Sequence, residues 1–281
     1  MTGAEAKAKF RGCYVATLTP FDSGDRVDTG AIRAQVQWLI EAGVVGLCPA
    51  GTTGEFLYLS EEEKAQVIIA TVEATQGRIP VIAGIWALRE AQTANLARIA
   101  EDAGVSAVFL PTPIYYPATQ QALFQWYANV HNATNLPLFA YNIPQYAANE
   151  IGIDCLEKLL AEGIIVGAKD SSGKADRIAE QVRRFGQNGV VFAASDSFAS
   201  EGRRLGADGF ISAIANVTPN TFVRLWAGEE GLQGEVDALR SALKAVGSIS
   251  ALKHLLKQRG LSFGHSRIPG TGLPEGWNYL L

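Results

Sequence analysis

The chain has 281 residues, 48% of them hydrophobic, enough for a full core and in the range of one α/β barrel or two smaller domains. A net charge of −4 and an isoelectric point of about 5.5 leave no basic surplus to neutralise phosphates, which argues against nucleic acid as a partner. Cys13, Cys48 and Cys155 lie far apart in apolar segments and form no metal-type spacing with the histidines, so they read as reduced core thiols of a cytoplasmic protein; with no hydrophobic leader and no run of about 18 apolar residues, no membrane span is expected.

In chain order, a start that is helical or frayed leads into a strand over Cys13–Thr19, closed by Pro20 and a polar turn from Asp22. Thr29–Ala42 places Ile32, Val36 and Leu39 on one side of a helix that Gly43 ends. The pair then recurs: a strand over Val44–Cys48, a tight loop Gly51-Thr-Thr-Gly, and a helix opened by Ser60 as N-cap with an acidic first turn. Strands follow at Ile79–Gly84, Val105–Leu110, Leu136–Tyr141, from Ile164 to a lysine at 169, at Val190–Ala193 and at Ala207–Ala213, each with a helix behind it. Eight strands alternating with eight helices every 25 to 30 residues or so predict a (β/α)8 TIM barrel over 1–230, with residues 231–281 as a helical extension split near Gly247-Ser248 and irregular from Gly264. The rival, a doubly wound open sheet, lacks a Gly-x-Gly-x-x-Gly cradle, and Gly51-Thr-Thr-Gly lacks the Lys-Ser/Thr pair of a phosphate loop.

The stretch Ile164–Gly173 carries the chemistry. An apolar strand buried on both faces ends in Lys169, and alternation puts Ile165, Gly167 and Lys169 on one face, with the glycine leaving empty space beside the lysine. An amine at the dry end of a strand is poorly hydrated and becomes a nucleophile, although a lysine there also fits a loop start that snorkels to water. Its neighbours favour chemistry. Tyr141 ends the adjacent strand and is placed to pass protons, while Gly51, Thr52 and Thr53 offer hydroxyls and free backbone N–H groups to a small carboxylate. A neutral amine that condenses with a 2-oxo acid gives an iminium that draws electrons from the adjacent carbon, so a carbon–carbon bond there breaks or forms with no metal or other cofactor.

Gly51-Thr-Thr-Gly-Glu, Thr112-Pro-Ile-Tyr-Tyr, Tyr141-Asn-Ile-Pro, Lys169-Asp-Ser-Ser-Gly and Gly206-Ala-Asp-Gly-Phe-Ile-Ser-Ala-Ile-Ala-Asn, in this order from about Tyr14 to Leu261, resemble the dihydrodipicolinate synthase and N-acetylneuraminate lyase superfamily of pyruvate-dependent class I aldolases. The resemblance implies a Schiff-base lysine at Lys169, a proton-relay tyrosine at Tyr141, carboxylate binding by Thr52 and Thr53, a Tyr115 that reaches into a neighbouring subunit's site, and a homotetramer built as a dimer of dimers.

Departures from the pattern bear on the substrate. Synthases of this kind carry an arginine where this chain has Tyr146, and loss of a forked cation removes a bidentate carboxylate partner. Sialic acid lyases have serine where this chain has Thr52 and, near strand eight, Ala213. Arg177, Arg183 and Arg184, on the helix after strand six, read as a solvated face rather than a replacement. The reading is therefore an aldolase acting on a 2-oxo-3-deoxy sugar acid, releasing pyruvate and an aldehyde. Ser195 and Asp196 would bind hydroxyls unless Asp196 caps the next helix, and Tyr146, Gln145 and Phe56 would shape the distal pocket. Dihydrodipicolinate synthase, a 2-oxo-3-deoxy acid dehydratase, N-acetylneuraminate lyase, an aromatic hydratase-aldolase and a non-catalytic barrel that senses a small acid are the alternatives.

Overall fold

The structure, a computed structural model, describes residues 1–270 and 272–279; Thr271, Leu280 and Leu281, part of the irregular end expected from Gly264, lie outside them. Helix α1 (Gly3–Lys9) is started by a capping box in which Thr2 and Glu5 exchange hydrogen bonds. Then β1 (Gly12–Ala16), α2 (Thr29–Glu41), β2 (Gly46–Cys48), α3 (Glu61–Thr75), β3 (Ile82–Gly84), α4 (Glu90–Ala103), β4 (Ala107–Pro111) and α5 (Gln120–His131) follow. They continue into β5 (Leu138–Asn142), α6 (Pro144–Ala147), α7 (Ile153–Ala161), β6 (Gly167–Asp170), α8 (Ala175–Phe185), β7 (Val190–Ala193), α9 (Ala199–Arg204), β8 (Gly209–Ser212) and α10 (Pro219–Ala227). Helices α11 (Gln233–Val246) and α12 (Ser248–Gln258) complete the chain, parted at Gly247.

All strand pairs are parallel, in the order β2-β1-β8-β7-β6-β5-β4-β3. A parallel bridge between Leu47 and Val81, with Gly84 N–H donating to the Pro49 carbonyl at 2.9 Å, joins the two ends and closes the ring. The TIM barrel expected from the alternation is thus present. Strands are shorter than the apolar runs, because residues such as Val44 and Leu136 enter the barrel before ladder pairing begins.

Two apolar layers result. The inner one holds Tyr14, Phe109, Phe139, Tyr141, Phe192 and Ile211, and Phe10 of the N-terminal segment stacks edge-on against Phe139 at 5.4 Å, so the start of the chain plugs the barrel floor. Lys7 secures it by an ion pair with Asp208 at 2.6 Å. The outer layer lies between strands and helices, and Val236, Leu239, Leu243, Leu252, Leu255 and Leu256 of the extension belong to it, so α11 and α12 are fixed to the barrel by a shared core. The three cysteines are buried and unbridged, and burial pushes the Cys13 and Cys48 thiols up to about 12. Among the described residues no helix is long and apolar enough to cross a membrane.

Three local expectations are corrected. Gly167 leaves no space for Lys169: a Cβ there would stand 2.3 Å from the Val190 carbonyl oxygen, so the glycine is needed for close approach of β6 to β7. Ile165 packs in the outer layer and does not share a face with Lys169, since regular alternation begins only at Gly167. Helix α6 went unread because Pro144 at its first turn resembles a strand terminator as much as a helix start.

Candidate active site

The carboxyl ends of the strands open into a cavity of about 700 Å³ whose lining includes Thr52, Thr53, Tyr141, Tyr146, Ser171, Ser195 and Asp196. Tyr141 and Lys169 are register partners on β5 and β6. Lys169 is 4% exposed, and its Nζ lies 4.0 Å from the centre of the Tyr141 ring and 4.8 Å from that of Phe109. The amine therefore stands inside the barrel under the cavity floor, against aromatic faces, with no carboxylate in ion-pair range among the described residues.

The Tyr141 hydroxyl is the centre of a short chain of hydroxyls: Thr52 Oγ1 is 3.4 Å away and Ser171 Oγ 3.5 Å. Thr52 stands on a turn held from both sides. Phe56 and Glu55 donate N–H bonds back to Gly51 and Thr52 carbonyls, and Thr19 Oγ1 donates to the Gly54 carbonyl at 2.7 Å. Glu55 has a left-handed backbone (φ 59°) and a fully buried carboxylate; Lys253 Nζ of α12 pairs with Oε1 at 2.5 Å, while Ser266 Oγ and the Arg267 N–H donate to Oε2. The extension is thereby pinned to the turn that carries Thr52 and Thr53.

Beside Lys169, Asp170 faces outward and anchors the strand end. Its carboxylate, with a side chain 0% exposed, accepts from Asn142, Arg177 and Gln181. Arg177 is thus no solvated residue: its Nε lies 2.6 Å from Asp170, and it also donates to the Ile151 carbonyl. Arg183 and Arg184 do lie on the surface, paired with Glu180, Asp154 and Glu157. None of the three reaches the cavity lining.

Asp196 does not cap the helix after it; it accepts a hydrogen bond from Ser212 Oγ at 2.5 Å, and burial raises its carboxyl above the usual range, with the Ser212 bond and Arg240 acting in the opposite sense. Ser195 Oγ accepts from Arg240 at 3.0 Å. Tyr115 is not brought to this cavity. It is 80% exposed with φ of 76°, packed edge-on against the exposed Tyr116 at 5.0 Å. Tyr146, carried by α6, lines the rim and is 72% exposed. Sequence reasoning missed Arg240 and Lys244 of α11, whose i,i+4 spacing gave them one face but not the surface that face meets. It also missed Ser171, although this residue follows Lys169 by two and was readable by alternation.

The model of the dihydrodipicolinate synthetase family matches residues 9–276. The chain belongs to that family. It is accordingly a lyase of the Schiff-base-forming class I aldolase superfamily. The 4-hydroxy-tetrahydrodipicolinate synthase of Nitrobacter hamburgensis is 33% identical over 263 residues, covering 91% of this chain and 88% of that one. Dihydrodipicolinate synthase from Aquifex aeolicus superposes with a TM-score of 0.90 at 30% identity, over 94% of this chain and 93% of its own. That of Acinetobacter baumannii, solved as a complex with pyruvate, superposes with a TM-score of 0.89 at 32% identity, over 94% of each chain.

Proposed function

We propose that this family member makes or breaks the bond between pyruvate and an aldehyde, acting on a 2-oxo-3-deoxy sugar acid, with Lys169 as the Schiff-base nucleophile. The observation that carries the reading is the placing of a buried amine 4.0 Å from the ring of Tyr141, whose hydroxyl lies between those of Thr52 and Ser171. Nζ of Lys169 attacks the carbonyl carbon of the 2-oxo acid, Tyr141 gives up its phenolic proton so that the carbonyl oxygen leaves as water, and an iminium and a phenolate remain. In the cleavage direction Tyr141 takes the proton of the C4 hydroxyl, the C3–C4 bond breaks, and its electron pair passes into the iminium as an enamine while the aldehyde departs. Protonation and hydrolysis of the enamine release pyruvate and return the free amine. Thr52, Thr53 and the backbone from Gly51 hold the carboxylate, and Ser195 and Asp196 meet hydroxyls further out.

The exposed Tyr115–Tyr116 pair, with the strained backbone of Tyr115, supports a homotetramer in which Tyr115 completes the relay of a neighbouring subunit. A cytoplasmic location fits the buried, reduced cysteines. The names of the relatives favour a second reading, condensation of pyruvate with aspartate semialdehyde; Tyr146 in place of a carboxylate-binding arginine opposes it.

Incubation with pyruvate and borohydride should add one reduced pyruvyl group to the peptide holding Lys169, and 2-oxo-3-deoxy acids should release pyruvate. A protein labelled elsewhere or not at all refutes the mechanism. Condensation with aspartate semialdehyde at a rate above every cleavage reaction refutes the substrate assignment.

A further inference from the structure

The cavity lining holds two polar groups from different elements: Thr52, Thr53 and Tyr141 at the ends of β2 and β5, and Ser195 and Asp196 after β7 with two cations of α11, Arg240 and Lys244. Between them the walls are apolar, built from Ile114, Ile143, Ile214, Leu243, Ile249 and Leu252. Other arginines of this protein are held by carboxylates or by backbone carbonyls: Arg177 has Asp170, Arg184 has Asp154 and Glu157, Arg267 has Asp25 and Glu63, while Arg78 donates to the Thr75 and Ala74 carbonyls and Arg203 to that of Trp226. Arg240 is treated differently. Its guanidinium meets a hydroxyl, Ser195 Oγ at 3.0 Å, and neither it nor Lys244 has a carboxylate within ion-pair distance among the described residues. The two acids in the lining form no ion pair with them: Glu55 is consumed by Lys253, Ser266 and Arg267, and Asp196, which feels the Arg240 charge, takes its hydrogen bond from Ser212. A half-buried guanidinium with free N–H groups, and an exposed ammonium one helical turn away, both lining an open cavity with apolar walls, form a receptor for an anion that arrives with the ligand.

We infer that the substrate carries a second anionic group, a carboxylate or a phosphate, at the end remote from its 2-oxo acid, and that Arg240 and Lys244 bind it. The inference rests on the aldolase reading above and narrows its substrate from neutral-ended sugar acids to those with a charged far end.

The test compares pyruvate release from 2-oxo-3-deoxy acids of equal chain length that end in a primary alcohol, a carboxylate or a phosphate ester. One charge-assisted contact, that of the half-buried Arg240, is worth roughly 10- to 100-fold and the exposed Lys244 adds little, so kcat/KM for an anion-ended acid should exceed that for the alcohol by about 10- to 100-fold. Preference for the carboxylate or for the phosphate identifies the group, and either supports the inference. In Arg240→Met/Lys244→Met the ratio should fall to within about threefold of unity, whereas Arg240→Lys should keep part of it. The ratio is taken within one preparation, so partial misfolding of a variant does not alter it. Equal use of all three acids by the natural chain, preference for the alcohol, or a preference unchanged in the double variant overturns the inference. Absence of the borohydride adduct at Lys169 instead overturns the aldolase reading beneath it.

Discussion

Replacing Lys253 by methionine tests whether the C-terminal extension holds the turn of Thr52 and Thr53, to which the proposed function assigns the substrate carboxylate. The Lys253 and Glu55 side chains are 1% and 0% exposed, with Nζ and Oε1 2.5 Å apart. Burial lowers the Lys253 pKa and Glu55 opposes that shift, so the ammonium depends on its partner. Methionine preserves most of the volume but leaves the Glu55 charge buried with only the Ser266 hydroxyl and the Arg267 N–H as donors. Breaking a buried pair from one side costs about 3–5 kcal/mol. At about 2 °C per kcal/mol for a chain of this size, Tm should fall by roughly 6–10 °C. Because Glu55 ends the 51–54 turn, KM for the 2-oxo acid should rise more than kcat falls. Glu55→Gln/Lys253→Met removes both charges and should recover most of the lost stability, since a matched neutral pair is close to neutral overall. Thermal melts of the two singles and the double decide the matter. A Lys253→Met protein that melts with the natural chain, or a double variant as unstable as the worse single, refutes the reasoning.

Other substitutions probe the barrel and its relay. Tyr141→Phe keeps the ring over Lys169 and removes the hydroxyl, so turnover should drop by about 10²- to 10⁴-fold with circular dichroism unchanged; a loss below about tenfold rules out a relay role. In Gly46→Ala the new Cβ would stand 2.0 Å from Tyr14 Cε1, a ring packed edge-on against Phe192, and urea unfolding should show a loss of at least about 1–3 kcal/mol that Tyr14→Leu relieves in part; an unchanged midpoint contradicts the inner-layer packing. Asp196 has a raised folded-state pKa, so its stabilising contribution is complete below the pKa of the unfolded carboxyl and is withdrawn as pH rises through the folded value. Asp196→Asn should therefore gain on the natural chain in Tm between acid and neutral pH, and parallel pH profiles of the two proteins would disprove the shift.

The hydrophobic alternation, the caps and the motif residues were sufficient to announce a closed parallel barrel and the pair Lys169–Tyr141. Both are local matters: strand and helix periods are written in neighbouring residues, and register follows when adjacent strands end together. Ser60 as N-cap and the break at Gly247 were legible for the same reason. Contacts between remote segments were not. The roles of Gly167, which admits Val190, of Arg177, which neutralises Asp170, and of Glu55, which receives Lys253 from nearly two hundred residues away, depend on how elements pack, and no periodicity encodes that. Residues 233–258 read as decoration in the sequence because amphipathic helices declare which face is apolar but not what that face will cover. Only the fold brought α11 to the strand ends and thereby placed Arg240 and Lys244 in the lining of the cavity there.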